Sequence, residues 1–478
     1  MMMIKKYILL FALAITALTS CDEWLTVEPK NMVSADKALD SDDGYTAALV
    51  GVYQLLEGVY NPSGFMMGSG VDVLANIYQE QTYTSNAYLS SCFNHDYENT
   101  NFDGASGTSY LQFYKAIANL NLLITSIDEK DVLRGDLRNM IEGEAKALRA
   151  FLHFDLWRVY GTVPGDPSGL SEEVLPYATE MTIDLIEKQN YTDYFNYILT
   201  DLEEAKELLA ESDPIVKYSN DELNNEGSIS EYGVELGWYN RQNRFNYYAT
   251  LGVLARVQLW MGDYEGAYAS AKEVIDATNP NGSNKFRLGV RTDLGYDNVF
   301  FAEQLFGIET VGYDDDPYNG AASQVVCYND INLITQYFSR VEDIRLEMLT
   351  NITADPYETR VSSIKYDQMS ETDLGTKSFP IIRLSEMYLI LVESASSLSE
   401  AQTYYDAFVN TRNDQNVELT QDNVLNNVML QYIREFWAEG QIFYAYKRVG
   451  VGTLPISGNE MSYDTYRVSL PSGEATSN

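Results

Sequence analysis

The chain has 478 residues, with 70 acidic against 32 basic side chains, a formal charge of −38, and 45% apolar residues. A negative field of that size repels nucleic acid and anionic lipid, which argues against both as partners while leaving neutral and cationic ligands open. The apolar fraction is ample for a large core, and two histidines leave little material for a histidine-centred catalytic site.

In chain order, Lys5 and Lys6 precede an apolar run that ends at Leu18, and small residues lead to Cys21. A charged end followed by an apolar segment too short to span a bilayer is the pattern of a signal peptide, here residues 1–20. Leu18-Thr19-Ser20-Cys21 resembles a lipobox, in which Cys21 is acylated and becomes the new N-terminus. Several acyl chains, at about 0.8 kcal/mol per buried CH₂, would hold the protein to a membrane without a transmembrane helix. Residues 21–33 then form a tether, and 34–478 a single large domain.

Helical periodicity recurs over residues 34–59, 110–127, 136–160 and 193–209, and predicts a mostly α fold. Gly161 and Pro164 end the third block. Residues 246–278 read as a helical hairpin, with small Ala255 and Ala267 at the contact and Gly262-Asp263 at the turn, similar to a tetratricopeptide repeat. A weaker pair covers 382–394 and 400–412, and a last helix, 423–439, leads into Phe443-Tyr444-Ala445-Tyr446. Three long stretches, 60–109, 213–246 and 279–327, have loop composition, and long loops on a helical body usually carry function.

Tyrosine is over-represented, with 37 against 18 Phe and 5 Trp. A flat apolar face with a hydroxyl suits recognition surfaces, so the loop residues Asn76, Tyr78, Tyr83, Asn86, Tyr88, Trp238, Tyr239, Tyr296, Tyr313 and Tyr318 are the candidate ligand contacts. No nucleophile elbow, zinc-binding His-Glu-x-x-His, P-loop or Cys-x-x-Cys is present, so no catalytic residue is assigned and an enzyme is not expected. His153, among Phe151, Leu152 and Phe154, reads as a packed imidazole, whereas His95 sits in a loop where it could contact ligand. Asp314-Asp315-Asp316 could gather oxygen ligands for calcium but lacks the Gly and distal Glu of a calcium loop, so no cofactor or metal is expected. Cys92 and Cys327 have no framework spacing, and buried free thiols are expected.

Five segments behind the lipobox together resemble the SusD/RagB family of Bacteroidetes lipoproteins. They are Cys21-Asp22-Glu23-Trp24-Leu25 with Pro29, the run from Glu142 to Leu156 with Tyr160-Gly161 and Pro164, the turn Gly262-Asp263-Tyr264, the run from Ile382 to Ile390, and Arg434-Glu435-Phe436 through Glu439-Gly440-Gln441. The chain departs from the family at Ile442 and Ala445, where Arg and Asp are common, which marks a divergent branch. The resemblance implies a tetratricopeptide-like helical fold and an outer-membrane lipoprotein facing outside the cell. It implies a nutrient-binding lid of a TonB-dependent, SusC-like transporter, with oligosaccharide or polysaccharide as ligand. A peptide ligand, or a glycan hydrolase on the same scaffold, are the alternatives. The ligand would be met by residues 76–88 and 296–328.

Overall fold

The computed structural model describes residues 38–61, 64–78, 86–224, 239–309, 337–338, 340–355, 358–363, 365–366 and 378–475. The signal peptide, the tether with Cys21, and Cys327 lie outside these residues.

Ten helices of eight residues or more carry the described part: α1 (Asp42–Glu57), α2 (Thr100–Glu129), α3 (Gly135–Tyr160), α4 (Tyr191–Ser212), α5 (Tyr247–Met261), α6 (Tyr264–Ile275), α7 (Leu384–Ser394), α8 (Leu398–Thr411), α9 (Val424–Glu435) and α10 (Ile442–Val449). Their starts follow local chemistry. Ser41, Asn190, Asn246, Asp263 and Ser397 each accept a bond from a first-turn backbone N–H, satisfying donors that the helix itself leaves unpaired. In the α5–α6 hairpin Gly262 ends α5 at φ 79°, a left-handed conformation that glycine adopts without strain, and Asp263 caps α6 at once. Pairs α5–α6 and α7–α8 pack side by side, with α6 also against α7, which is the stacking expected of tetratricopeptide-like units.

Helix α3 is the axis of the molecule. From Met140 to Tyr160 every residue except Lys146 is buried, so the helix is covered on all sides by α1, α2, α4 and α5. Gly143 permits the close approach of α4, since a Cβ there would lie 2.8 Å from Leu209 Cγ. The charges that α3 buries are each paired. Arg149 makes two bonds to Asp201, at 2.7 and 2.6 Å, and one to Asn121 at 2.8 Å; Asp155 holds Arg158 and the Tyr60 hydroxyl. Breaking one such buried pair from one side costs roughly 3–5 kcal/mol, so these pairs fix which helices meet α3.

Among the described residues six short strands form three antiparallel pairs: β1 (Leu175–Pro176) with β2 (Lys188–Gln189), β3 (Gln304–Glu309) with β6 (Ser378–Arg383), and β4 (Leu349–Asp355) with β5 (Glu358–Ser363). None is anticipated by periodicity, and Ile382-Arg383, expected to open a helix, instead end β6. Beside them lies a buried ionic cluster. Arg412 bonds Glu303 and Glu435 at 2.6 and 2.7 Å, Arg383 bonds Glu435 and Glu439 at 2.9 Å, and Lys365 also holds Glu439. The cluster ties β6, α8 and α9 together through interior charges, in addition to the apolar core that they share.

The segment 64–78 corrects the sequence expectation most. It is core rather than exposed loop: Phe65, Met66, Met67, Val71, Leu74 and Ile77 are all buried. Tight glycine turns fold it inward; a Cβ at Gly70 would sit 2.1 Å from the Phe65 carbonyl oxygen. Helix α2 likewise begins ten residues before the expected 110, capped by Asn99. Ile442 and Ala445 are buried on α10. Near them Arg158 stacks 4.0 Å over the Tyr444 ring and donates to Gln441 Oε1 at 2.8 Å, so its charge is accommodated without a carboxylate at 445.

Candidate functional site

Helix α1 has two faces. Tyr45, Leu49, Val52 and Leu56 turn to the core, while Asp43, Thr46, Val50, Tyr53, Gln54 and Glu57, at the same helical spacing, turn to a cleft of about 420 Å³. The opposite wall is the turn Tyr239-Asn240-Asn243-Arg244, and among the described residues Glu309 at the end of β3 also lines it. Small-ligand sites occupy roughly 300–1,000 Å³, so the cleft has room for a ligand of a few rings.

The cleft rests on a buried charge lattice. Glu144 of α3, fully buried, accepts from Arg241 at 2.7 Å, from Arg244 Nε at 3.0 Å and from the Tyr53 hydroxyl at 2.5 Å. Arg241 also forks onto Asp213, at 3.0 and 2.9 Å. Burial pushes the Glu144 carboxyl up, but Arg244 and Arg241 beside it outweigh burial and hold it below the usual carboxylate range. Burial, then the neighbouring Glu144 carboxylate, raises the Tyr53 hydroxyl well above its ordinary value, so Tyr53 is a neutral donor. The same hydroxyl accepts from Phe245 N at 2.7 Å, which locks the ring.

The groups left over point at a ligand. Arg244 lies 5.5 Å from the Tyr53 ring centroid, and its two terminal nitrogens make no bond among the described residues. Asn243 is 7% exposed; its Oδ1 accepts from Gln304 at 2.9 Å, while Nδ2 has no partner among the described residues. That Nδ2 is itself sealed from solvent, so the donors in this wall that a ligand can reach are the terminal nitrogens of Arg244. Aromatic faces, a guanidinium and amides on a rigid base suit a molecule with apolar C–H faces edged by hydroxyls.

The structure distributes the sequence-predicted contacts differently. Asn76 is fully buried at φ 51°, donating to the Val73 and Phe93 carbonyls, both at 3.0 Å, and accepting from Ser457 and Asn459. Tyr78, 3% exposed, meets Trp437 edge-on. Both are therefore framework rather than ligand contacts, because their polar or aromatic surfaces are already covered. Asn86 caps the short helix Ala87–Phe93, and Tyr88 on that helix is half-buried against the core. His95 reaches the Leu74 carbonyl at 2.9 Å, so its imidazole also braces this region. Tyr296 is 80% exposed in a surface turn and does not line the cleft. Tyr239 does line it. Tyr83, Trp238, Tyr313, Tyr318 and the aspartates 314–316 lie outside the described residues.

His153 is fully buried, stacked 3.9 Å from Tyr177 and bonded to Tyr194 at 2.9 Å; burial, then Arg149, pushes its pKa down to about 3. Cys92 is a buried thiol, raised by burial to about 12. Among the described residues no group of three His, Cys, Asp or Glu side chains is arranged to hold a metal, and no helix is long and apolar enough to cross a membrane. Tyr53, Gln54, Asn243, Arg244 and Glu309 were not anticipated. The available signal was the second stripe on α1, where Asp43, Thr46, Val50, Tyr53 and Glu57 recur every three or four residues.

Comparison with known proteins fits this architecture. Residues 23–221 match the family model SusD-like_3, described as starch-binding associating with outer membrane, and residues 350–475 match that of the SusD family. A SusD-like protein of Formosa agariphila is 30% identical over 207 residues, 42% of this chain and 36% of the relative, so the matched stretch spans about a third of that protein's length. Among solved structures, a SusD superfamily protein of Bacteroides thetaiotaomicron superposes with a TM-score of 0.69 at 19% identity, covering 92% of this chain and 98% of that one. Surface glycan-binding protein A of Bacteroides uniformis gives 0.67 at 17%, with the same coverage. On two family models in sequence order and a fold shared along nearly its whole length, the chain belongs to the SusD/RagB family.

Proposed function

We infer that the protein is a lipid-anchored binding protein of the outer membrane, facing outward, that captures an oligosaccharide in the cleft between α1 and the turn 239–244. It passes the ligand to a TonB-dependent, SusC-like transporter for which it serves as lid, and it performs no chemistry on the ligand. The observation that carries the ligand class is the cleft itself. Tyr53 and Tyr239 supply ring faces, Arg244 supplies unspent donors, and Glu144 fixes the base. Sugars present apolar faces bordered by hydroxyls, which this mixture reads. The family's model describes starch binding at the outer membrane, and a structural neighbour is a surface glycan-binding protein, in keeping with this reading.

Electrophoresis through gels containing neutral polysaccharides tests the ligand. At least one polysaccharide should retard the protein, and Tyr239→Ala should weaken the retardation. No retardation across a broad panel would sink the glycan reading. Peptide is the second reading, supported by the acidic lining of the same cleft; bound peptides found by mass spectrometry in the purified protein would favour it. For the transporter, a tagged chain extracted in mild detergent should bring down a β-barrel protein of the outer membrane, and its absence would remove the lid role.

A further inference from the structure

The connection between β1 and β2 turns its apolar side chains outward. Met181, Ile183 and Leu185 alternate along it and each is at least 63% exposed, Ile183 completely. They do not fold inward because the backbone that carries them is pinned from below. His153 Nε2 accepts from Ala178 N at 3.2 Å, Asn121 Nδ2 donates to the Ala178 and Glu180 carbonyls at 3.0 and 3.2 Å, and Arg149 Nη1 donates to the Thr179 carbonyl at 3.3 Å. At the other end Ile186 packs on the core. Tyr197 of α4, also exposed, stacks on Tyr177 with ring centroids 5.0 Å apart and extends the surface. Contiguous exposed apolar surface on a soluble domain marks a contact with another molecule.

The charges around it say which. Glu180, Asp184 and Glu187 stand between and beside the apolar residues and are exposed. Their carboxylates form no ion pair among the described residues; the bonds at these positions run through the Glu180 and Glu187 carbonyls and the Asp184 N–H. An apolar centre with a charged rim is the layout of a protein interface, and a rim of one sign calls for a partner of the other. The same acids repel an anionic lipid surface, and a second copy docked about a twofold axis would set them against themselves. The connection also lies on the face of α3 away from the cleft. His153 beneath it and Glu144 beneath the cleft are nine residues apart (153 minus 144), or about two and a half helical turns. An occupant here leaves the cleft open.

We propose that residues 177–187 are the docking surface for a protein partner whose contact face is an apolar socket rimmed by lysine and arginine. Met181, Ile183 and Leu185 enter the socket, and Glu180, Asp184 and Glu187 pair with its rim. A stable interface buries roughly 800 Å² on each side, more than one connection supplies, so Tyr197 belongs to the same contact. This surface is separate from the cleft and does not depend on what the cleft binds.

Photocrosslinking of the full-length chain in the cells that make it tests this, with benzoylphenylalanine in place of Ile183 and, as control, in place of the exposed Tyr296. Position 183 should give one protein adduct that position 296 does not, and mass spectrometry should place the crosslink in a partner peptide with apolar residues beside lysine or arginine. Glu180→Lys/Asp184→Lys/Glu187→Lys should lower the adduct yield at least about tenfold, and Met181→Ser/Leu185→Ser should do the same. All five side chains are exposed, so both variants should fold, as circular dichroism of the purified chains checks. An adduct with lipid assigns the connection to a membrane and an adduct with a second copy assigns it to self-association; either overturns the proposal. No adduct, the same adduct from position 296, or a yield that survives charge reversal overturns it as well.

Discussion

Replacing Glu144 by Ala removes three bonds at once, from Arg241, Arg244 and the Tyr53 hydroxyl. Truncating one member of a buried ion pair costs roughly 3–5 kcal/mol. The lower end applies here, because Arg241 keeps both bonds to Asp213 and the Arg244 side chain is 13% exposed and can turn to water. At about 2.1 cal/mol/K per residue, a domain of this size unfolds with an entropy of roughly 0.9 kcal/mol/K, so the loss corresponds to a fall in Tm of about 3–4 °C. Differential scanning fluorimetry reads that shift. The same variant leaves the Tyr53 hydroxyl with only its bond from Phe245 N and lets Arg244 swing, so glycan affinity should fall about tenfold, the scale of one or two lost oriented contacts. Glu144→Gln, which keeps an acceptor for Tyr53, should lose less affinity than Ala. An unchanged Tm would refute the lattice as a source of stability. A lowered Tm with unaltered affinity would refute its role in holding the binding surface.

Asp72 is fully buried, accepting from Gly440 N at 3.0 Å; burial above all pushes its pKa up to about 8. Because the folded pKa is raised, its contribution to stability is complete below the ordinary carboxylate range and is lost as pH rises towards 8. Asp72→Asn should therefore flatten the decline in Tm between about pH 4 and 8 and raise Tm at pH 8; an unchanged slope would contradict it. Gly143→Val places methyl groups against Leu208 and Leu209 and should cost about 1–3 kcal/mol in urea unfolding, whereas a neutral effect would mean that α4 can give way. Cys21→Ala should move the protein from the membrane fraction to the soluble exported fraction; retention in the membrane would refute the lipid anchor.

Periodicity made the helical frame legible because its signals are local. The third helix announces itself by spacing and by Gly161, and the α5–α6 hairpin by Gly262-Asp263. What stayed hidden depends on distant partners. Arg241 meets Glu144 across 97 residues and Arg412 meets Glu303 across 109, and nothing near either arginine marks it as an interior residue. The region 64–78 reads as loop because its apolar residues are interrupted by glycines, yet those glycines are what allow it to fold into the core. In such a stretch the Asn76 amide reads as a ligand contact; its left-handed backbone and its four bonds give the amide a bracing role instead. Tyr53 escaped for the opposite reason. On an amphipathic helix a tyrosine beside the apolar stripe looks like core, and only the turn 239–244 across from it shows that it borders a cavity.

The most direct test of the account is hydrogen–deuterium exchange of the soluble chain with and without an oligosaccharide that retards it in gels. Binding in the cleft predicts added protection in peptides covering residues 43–57 and 239–244. Protection confined elsewhere, around residues 86–95 or the turn at Tyr296, with exchange in α1 unchanged, would contradict it.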